Sequence, residues 1–272
     1  MTQTTHNPFF FSYNTPFETP PFNEIKNEHF EPAFDEGIKR LNSEVQAIAN
    51  DTQPATFENT IIALERSGKL LNKVSSAFFN ILNAEADDEM MEISQRISPK
   101  LSESSNNIFL NEKLFARVKN VYEQKDRLNL STEDTKLLEE TFESFSVRGA
   151  NLNPEDKEKY RKLSTDLSVL SLRFDQNALK DKNRYELLLT DEKDLSGLPE
   201  SICEAAALRA KEKGKKGWLF NLTAPSYIPF MRYADSRKLR ETMYREYMSV
   251  GNKGDEYDNK EIIRQIINIR LE

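Results

Sequence analysis

Glycine is scarce in this sequence: there are eight in 272 residues, and only Gly37, Gly68 and Gly149 fall before residue 190. So few turn-makers over so long a span argue against a sheet-rich fold, which needs a tight turn every few residues, and favour helices. Cysteine is limited to Cys203, which excludes an intrachain disulfide and reads as a small apolar core residue. Histidine is limited to His6 and His29, and neither sits in an H-E-x-x-H helix. A hydrolytic zinc site needs two imidazoles one turn apart on one helix face, with a carboxylate base beside them. These residues do not supply it, so we assign no metal ligand and no catalytic residue to this chain. Neither G-x-x-x-x-G-K-[ST] nor G-x-S-x-G occurs, which removes the phosphate-loop and nucleophile-elbow readings. Positive charge is also in deficit, with a net charge of −7 where a nucleic-acid surface would want a basic stripe. No run approaches the roughly 18 apolar residues of a membrane span. The first twenty residues lack the basic and apolar regions of a signal peptide. We therefore expect a cytoplasmic chain, or a periplasmic one if a leader has been removed, with no nucleic-acid or membrane partner.

What is present suits amphipathic helices. Hydrophobic residues make up 38% and charged residues 31%, enough of each to give helices one dry and one wet face. Residues 1–24 are different: five phenylalanines alternate with Pro8, Pro16, Pro20 and Pro21. The prolines predict an extended arm, and the aromatics predict that Phe9, Phe10, Phe11, Phe17 and Phe22 pin it to the body. Phe30, Phe34, Ile38, Leu41, Val45 and Ile48 then share one stripe of a first helix, with Pro32 in its first turn. A second helix, capped by Thr56, runs on to Ile81 and is interrupted by Gly68 at a cost of about 1 kcal/mol. A third begins near Asp87 with acids in its first turn, and Pro99 is expected to kink or divide it. A shorter helix carries Leu114, Phe115, Val118 and Val121.

The middle of the chain carries strong start signals. Ser131 followed by Asp134 resembles a capping box, and Gly149 ends that helix. Asn153-Pro154-Glu155-Asp156 supplies a cap, a first-turn proline and two acids. The helix it opens carries Tyr160, Leu163, Leu167, Leu170 and Phe174 and should reach about Lys180. Residues 185–189 and 218–222 are short apolar runs that read as strands, separated by a helix opening at Pro199 and ending at Gly214. The expected fold is therefore mainly α: an elongated multi-helix lobe with long antiparallel helices and a small two-stranded β element at one edge. We divide it into an extended arm, 1–24, and one helical lobe, 25–272.

Residues 224–272 form the most organised stretch. A short helix opens at Pro225, a second is capped by Ser236, and a third begins near Asn259. Its isoleucines, at 262, 263, 266, 267 and 269, form an apolar face that is unbroken where the sequence stops. Domains rarely stop in mid-helix, so we expect this chain to be a piece of a larger protein, with that face exposed. Five of the nine tyrosines (Tyr227, Tyr233, Tyr244, Tyr247 and Tyr257) fall in this stretch. Phenols in such a cluster either pack between helices or line a cleft that grips peptide backbone. Carboxylate clusters such as Glu85-Ala86-Asp87-Asp88-Glu89 and Glu139-Glu140 read as solvated helix starts and faces. The basic run from Lys211 reads as a helix end.

APSYIPF at 224–230, RYADSRKLRETMYREY at 232–247 and GDEYDNKEII at 254–263 resemble the N-terminal half of thimet-oligopeptidase-like zinc metallopeptidases, nearest the bacterial peptidyl-dipeptidase and oligopeptidase A branch. The blocks at 20–38, 56–80, 98–118 and 148–174 resemble the same family, so the likeness covers nearly the whole chain. It implies a mostly helical body split by a deep channel that admits short unstructured peptides. It also implies a zinc ion and its H-E-x-x-H helix in a C-terminal catalytic lobe, the intramolecular partner of this one. There, the motif glutamate acts as base for a zinc-bound water. The family usually has glycine where this chain has Glu18, so the turn there should differ. In this lobe, Tyr227 and Arg232 are the candidate substrate-binding residues: a tyrosine stacks on and hydrogen-bonds a peptide, and an arginine pairs with a carboxylate. The competing reading is a stand-alone helical binding or scaffold module without enzymatic activity.

Overall fold

The computed structural model describes residues 7–85 and 87–272. Contacts gather the chain into two compact units, Met1–Val169 and Leu170–Glu272. In the first lie α1 (Asn27–Ala49), a π-helical turn (Phe57–Ile62) leading into α2 (Ala63–Glu65), α3 (Lys69–Glu85), α4 (Asp88–Phe109), α5 (Glu112–Glu123) and α6 (Thr132–Val147). Helix α7 (Pro154–Arg184) begins in the first unit and ends in the second. The second continues with β1 (Leu187–Leu189), α8 (Glu200–Glu212), β2 (Trp218–Phe220), α9 (Ala224–Tyr233), α10 (Arg237–Met248) and α11 (Lys260–Leu271). The two strands pair antiparallel, with Leu188 opposite Leu219. The mainly helical fold with a small two-stranded element is thus present. Among the described residues, no helix is long and apolar enough to cross a membrane.

Helix starts follow their caps. The side chains of Asp87, Asn111, Ser131 and Ser236 accept from the backbone N–H three residues on, and Asn153 does so for α7 at 2.9 Å. Each satisfies a donor that the first turn leaves open, worth about 1 kcal/mol. Helix α1 starts earlier than its apolar stripe suggests. The His29 Nδ1 accepts from the Lys26 N–H at 3.1 Å, a reciprocal cap. Pro32 consequently lies inside the helix instead of in its first turn.

Two glycines decide how α1 and α3 are arranged. Gly68 adopts φ 71°, a left-handed backbone that ends one helix, and donates its N–H to Glu44 at 2.7 Å. The single helix expected from residue 56 to Ile81 is therefore two, because a glycine that can reverse the chain does so where a carboxylate receives its N–H. Gly37 lets α1 and α3 approach closely: a Cβ there would lie 3.0 Å from the Leu71 Cα. Helix α4 instead runs through Pro99 undivided. Ile93 and Ile97, both buried, hold that stretch against α1 and α3 and offset the lost hydrogen bond. Helix α7 continues past the expected Lys180 to Arg184.

The first unit has two apolar centres. One joins Phe30 and Phe34 of α1, Phe78 of α3 and Ile97 of α4. Its phenylalanine rings meet edge-on, Phe30 to Phe78 at 5.0 Å and Phe34 to Phe78 at 5.4 Å. The other joins Val45 and Ile48 to Leu114 and Val118 of α5 and to Leu138 and Phe145 of α6. The second unit has its own centre around Phe220, Leu222, Phe230 and Met243.

Residues 7–24 depart from a simple extended arm. Two 3-10 turns, Pro8–Phe10 and Pro16–Glu18, begin at prolines, whose fixed φ suits a tight turn even where it forbids a long helix. Only Phe9 of the five phenylalanines is buried, its ring 5.3 Å from that of Phe30. Phe10, Phe11, Phe17 and Phe22 are exposed, so one anchor replaces the expected five. Lys73 adds a polar anchor, donating to the carbonyls of Phe9 at 3.2 Å and Phe11 at 2.6 Å. Phe17 and Glu18 both adopt positive φ, 57° and 54°. A side chain in this region costs about 1 kcal/mol, which glycine avoids. Glu18→Gly should therefore raise the melting temperature by about 2 °C in a thermal scan; a lowered one would show that no strain resides there.

Within the second unit one buried acid organises the turn before α11. Asp181, fully buried on α7, accepts from the Gly251 N–H at 2.7 Å, from Lys253 at 3.2 Å and from Arg184 at 2.8 Å. Lys253 also pairs with Glu246, and Arg184 with Asp255. Asn259 completes the junction, donating to the Phe174 carbonyl at 3.0 Å.

Candidate functional site

The α9–α10 hairpin carries both residues singled out for substrate binding. Its geometry starts at the turn after β2. The Asn221 carboxamide oxygen accepts from the Thr223 N–H and hydroxyl, and the buried Ser226 hydroxyl accepts from the Asn221 N–H at 3.1 Å. These bonds set the chain direction into α9 at Ala224 and Pro225. Phe230 then anchors the helix, edge-on to Phe220 with ring centres 4.8 Å apart. At its far end, the Asp235 N–H donates to the Ser196 carbonyl at 2.8 Å, and the Ser196 hydroxyl donates to the Asp235 carboxylate at 2.6 Å.

Tyr227 sits half-buried against α10, its ring stacked on Tyr247 at 4.2 Å and 14° between planes. Burial, then the neighbouring Tyr247 and Tyr244 phenols, push its acidity down and its pKa up. The phenol therefore stays protonated at neutral pH, able to donate to a carbonyl. Arg232 is exposed, with its guanidinium 5.4 Å from the centre of the Tyr233 ring. Five residues separate Tyr227 from Arg232, which is about 140° of helix rotation, so the two do not share one face of α9. Of the five clustered tyrosines, the hairpin gathers Tyr227, Tyr244 and Tyr247, while Tyr257 lies under Arg184 at 4.9 Å. Tyr244, Tyr247, Ile228 and Met248 leave a partly exposed apolar surface on the hairpin. This arrangement can stack on and hydrogen-bond a ligand; it holds no nucleophile paired with a base.

The other sequence candidates resolve plainly. His29 caps α1 and is buried, and its ring nitrogen is already engaged. His6 lies outside the described residues. Among the described residues, no three of His, Cys, Asp and Glu converge as a metal-holding group, so those residues do not fit a catalytic zinc site. Asp87 caps α4; the Met90 N–H and then Asn27 hold its carboxyl below its usual range. Glu139 pairs with Lys125 at 2.7 Å. Lys213 and Lys215 both pair with Glu186. On α11, Ile262 is buried and Ile266 and Ile269 are half-buried, whereas Ile263 and Ile267 are exposed. Of the face expected to be exposed, Ile262 is thus covered, and Ile263 and Ile267 are its open members.

With that geometry in hand, the sequence comparisons show what the chain is similar to: bacterial peptidases of the thimet-oligopeptidase family, named dipeptidyl carboxypeptidase and oligopeptidase A. It is 36% identical over 270 residues to the dipeptidyl carboxypeptidase of Escherichia coli (strain K12), covering 99% of this chain and 40% of that protein. It is 30% identical over 262 residues to oligopeptidase A of the same organism, covering 95% of this chain and 38% of that protein. A thimet-like oligopeptidase of Dictyostelium discoideum is 25% identical over 223 residues, covering 79% of this chain and 31% of that protein. The chain thus spans about two fifths of the length of the bacterial relatives it matches. No family model matches it.

Proposed function

We propose that this chain is the N-terminal, channel-wall lobe of a zinc-dependent peptidase that hydrolyses short peptides, either releasing C-terminal dipeptides or cutting within oligopeptides. The observation that carries the reading is the match to dipeptidyl carboxypeptidase along 99% of the chain. On this reading residues 1–24 are an arm of the lobe and 25–272 its helical body, and the whole enzyme works in the cytoplasm or, with a leader, in the periplasm. Zinc and its H-E-x-x-H helix belong to a C-terminal catalytic lobe, the partner against which this one sits. This lobe supplies shape and ligand contacts: the Tyr227 phenol donates to a peptide carbonyl, and Arg232 pairs with a peptide carboxylate.

Metal analysis and an internally quenched peptide test both halves of the proposal. The 272-residue chain alone should hold no stoichiometric zinc after dialysis and cleave nothing. In a longer protein that includes an H-E-x-x-H segment, Tyr227→Ala and Arg232→Ala should each raise KM several-fold with zinc content and kcat near wild type, the signature of lost uniform binding. Zinc-dependent turnover by the chain alone, or wild-type kinetics in both variants, would overturn the assignments made here. A longer protein without peptidase activity would favour the scaffold reading.

A further inference from the structure

A cavity of about 390 Å³ opens in the first unit between α4 and α7, below the end of α6. Its two walls differ in character. Phe109 and Leu101 make it partly apolar, while serines from both helices line the remainder. Asn106 closes the floor, buried and donating to Ser164 at 2.8 Å. Among the described residues, the hydroxyls of Ser98 and Ser102 and the phenol of Tyr160 have no hydrogen-bond partner.

The cavity carries one charge. Arg148, at the end of α6, lies with its guanidinium 4.3 Å above the Phe109 ring and makes a long hydrogen bond, 3.4 Å, to Ser105. Among the described residues, no acidic side chain lines the cavity. Nearby cations are neutralised, Lys157 by Glu112 at 3.0 Å and Arg161 by Glu158 at 3.3 Å. Arg148 has no acidic partner among the described residues, in a chain whose carboxylates outnumber its cations. A guanidinium fixed on an aromatic face presents its fork edge-on, the geometry that takes a carboxylate through two parallel bonds.

We propose that this cavity binds the C-terminal carboxylate of a short peptide ending in an apolar residue. Arg148 pairs with the carboxylate, the Phe109 and Leu101 wall receives the last side chain, and the Ser98, Ser102 and Tyr160 hydroxyls serve the peptide amides. The volume is right for one or two residues and far larger than a bare inorganic anion needs. The site draws on residues of the first unit alone and does not depend on the peptidase reading.

Calorimetric titration of the 272-residue chain with N-acetyl-alanyl-phenylalanine, with its C-terminal amide and with inorganic phosphate tests the proposal. The free acid should bind, and the amide should bind about tenfold more weakly or worse, as loss of a charged pairing implies. Arg148→Gln should weaken the acid by a similar factor, and Ser102→Phe, which fills the space and keeps the arginine, should abolish binding. Circular dichroism confirms that both variants remain folded. The idea is sunk if the acid fails to bind, if acid and amide bind alike, or if Arg148→Gln binds as wild type. It is equally sunk if phosphate displaces the peptide as well as the free acid does, since that marks a simple anion site.

Discussion

Phe78→Ala should destabilise the first unit by about 3–5 kcal/mol, the range for removing a buried aromatic ring. Phe78 is fully buried and is the ring on which three others converge: Phe30 at 5.0 Å, Phe79 at 5.3 Å and Phe34 at 5.4 Å. Through Phe30 it also supports Phe9, the apolar anchor of the arm. Truncation removes the ring's transfer free energy and leaves a hole that the three surrounding rings fill poorly. Guanidinium denaturation followed by circular dichroism should show the lower midpoint. Phe17→Ala, at a position 99% exposed, provides the control and should change stability by less than about 0.5 kcal/mol. A Phe78→Ala loss under about 1 kcal/mol would mean that the aromatic cluster collapses onto the gap.

The second large effect belongs to Asp181. Burial works against its ionisation, but the Gly251 N–H, Lys253 and Arg184 together outweigh that penalty and hold the carboxyl below its usual range. Asp181→Asn keeps an acceptor for Gly251 but turns an amide toward two cations. We expect a loss of about 3 kcal/mol at neutral pH, the cost of breaking a buried pair from one side. The pH dependence follows from the direction of the shift. An acid whose folded pKa lies below its unfolded value stabilises the fold above that unfolded value, about 3.9, and the contribution disappears as pH falls through the folded pKa. The gap between wild type and variant should therefore be full at pH 7 and close below about pH 4. A gap that is unchanged between pH 7 and pH 3 would show that the charge on Asp181 contributes nothing.

Much of the helical layout was legible because caps are local. Asp87, Ser131, Asn153 and Ser236 each announce a helix within four residues, and each accepts the expected N–H. The two strands were legible for the same reason: short apolar runs flanked by polar residues have few alternatives. Features that depend on distant partners were not. Gly68 ends a helix because Glu44, far away in sequence, receives its N–H. Pro99 is tolerated because buried isoleucines hold its helix together. The division at Val169 and Leu170 falls inside α7, where composition and period do not change, so no punctuation marks it.

The functional candidates show the same limit more sharply. Tyrosine clustering pointed to the α9–α10 hairpin, and Tyr227 does stack there. Sequence spacing also shows that Tyr227 and Arg232, five positions apart, cannot share one face of a straight helix. Arg148 offered no signal at all. Its interest lies in the absence of a carboxylate near it, and only a folded chain shows which carboxylates are near. Asp181 looked like one more acid on a charged helix, since burial cannot be read from one residue in a polar stretch.

The sole tryptophan, Trp218, lies in β2, where it pairs across the ladder with Leu189. Indole emission from this chain is therefore a private channel for the second unit, whereas tyrosine emission mixes three residues of the first unit with six of the second. Excitation selective for indole can follow the melting of that unit alone in an unmodified sample, while circular dichroism follows the whole chain. An Asp181 variant should then move the indole transition, and a Phe78 variant should move the circular dichroism transition while leaving the indole one in place.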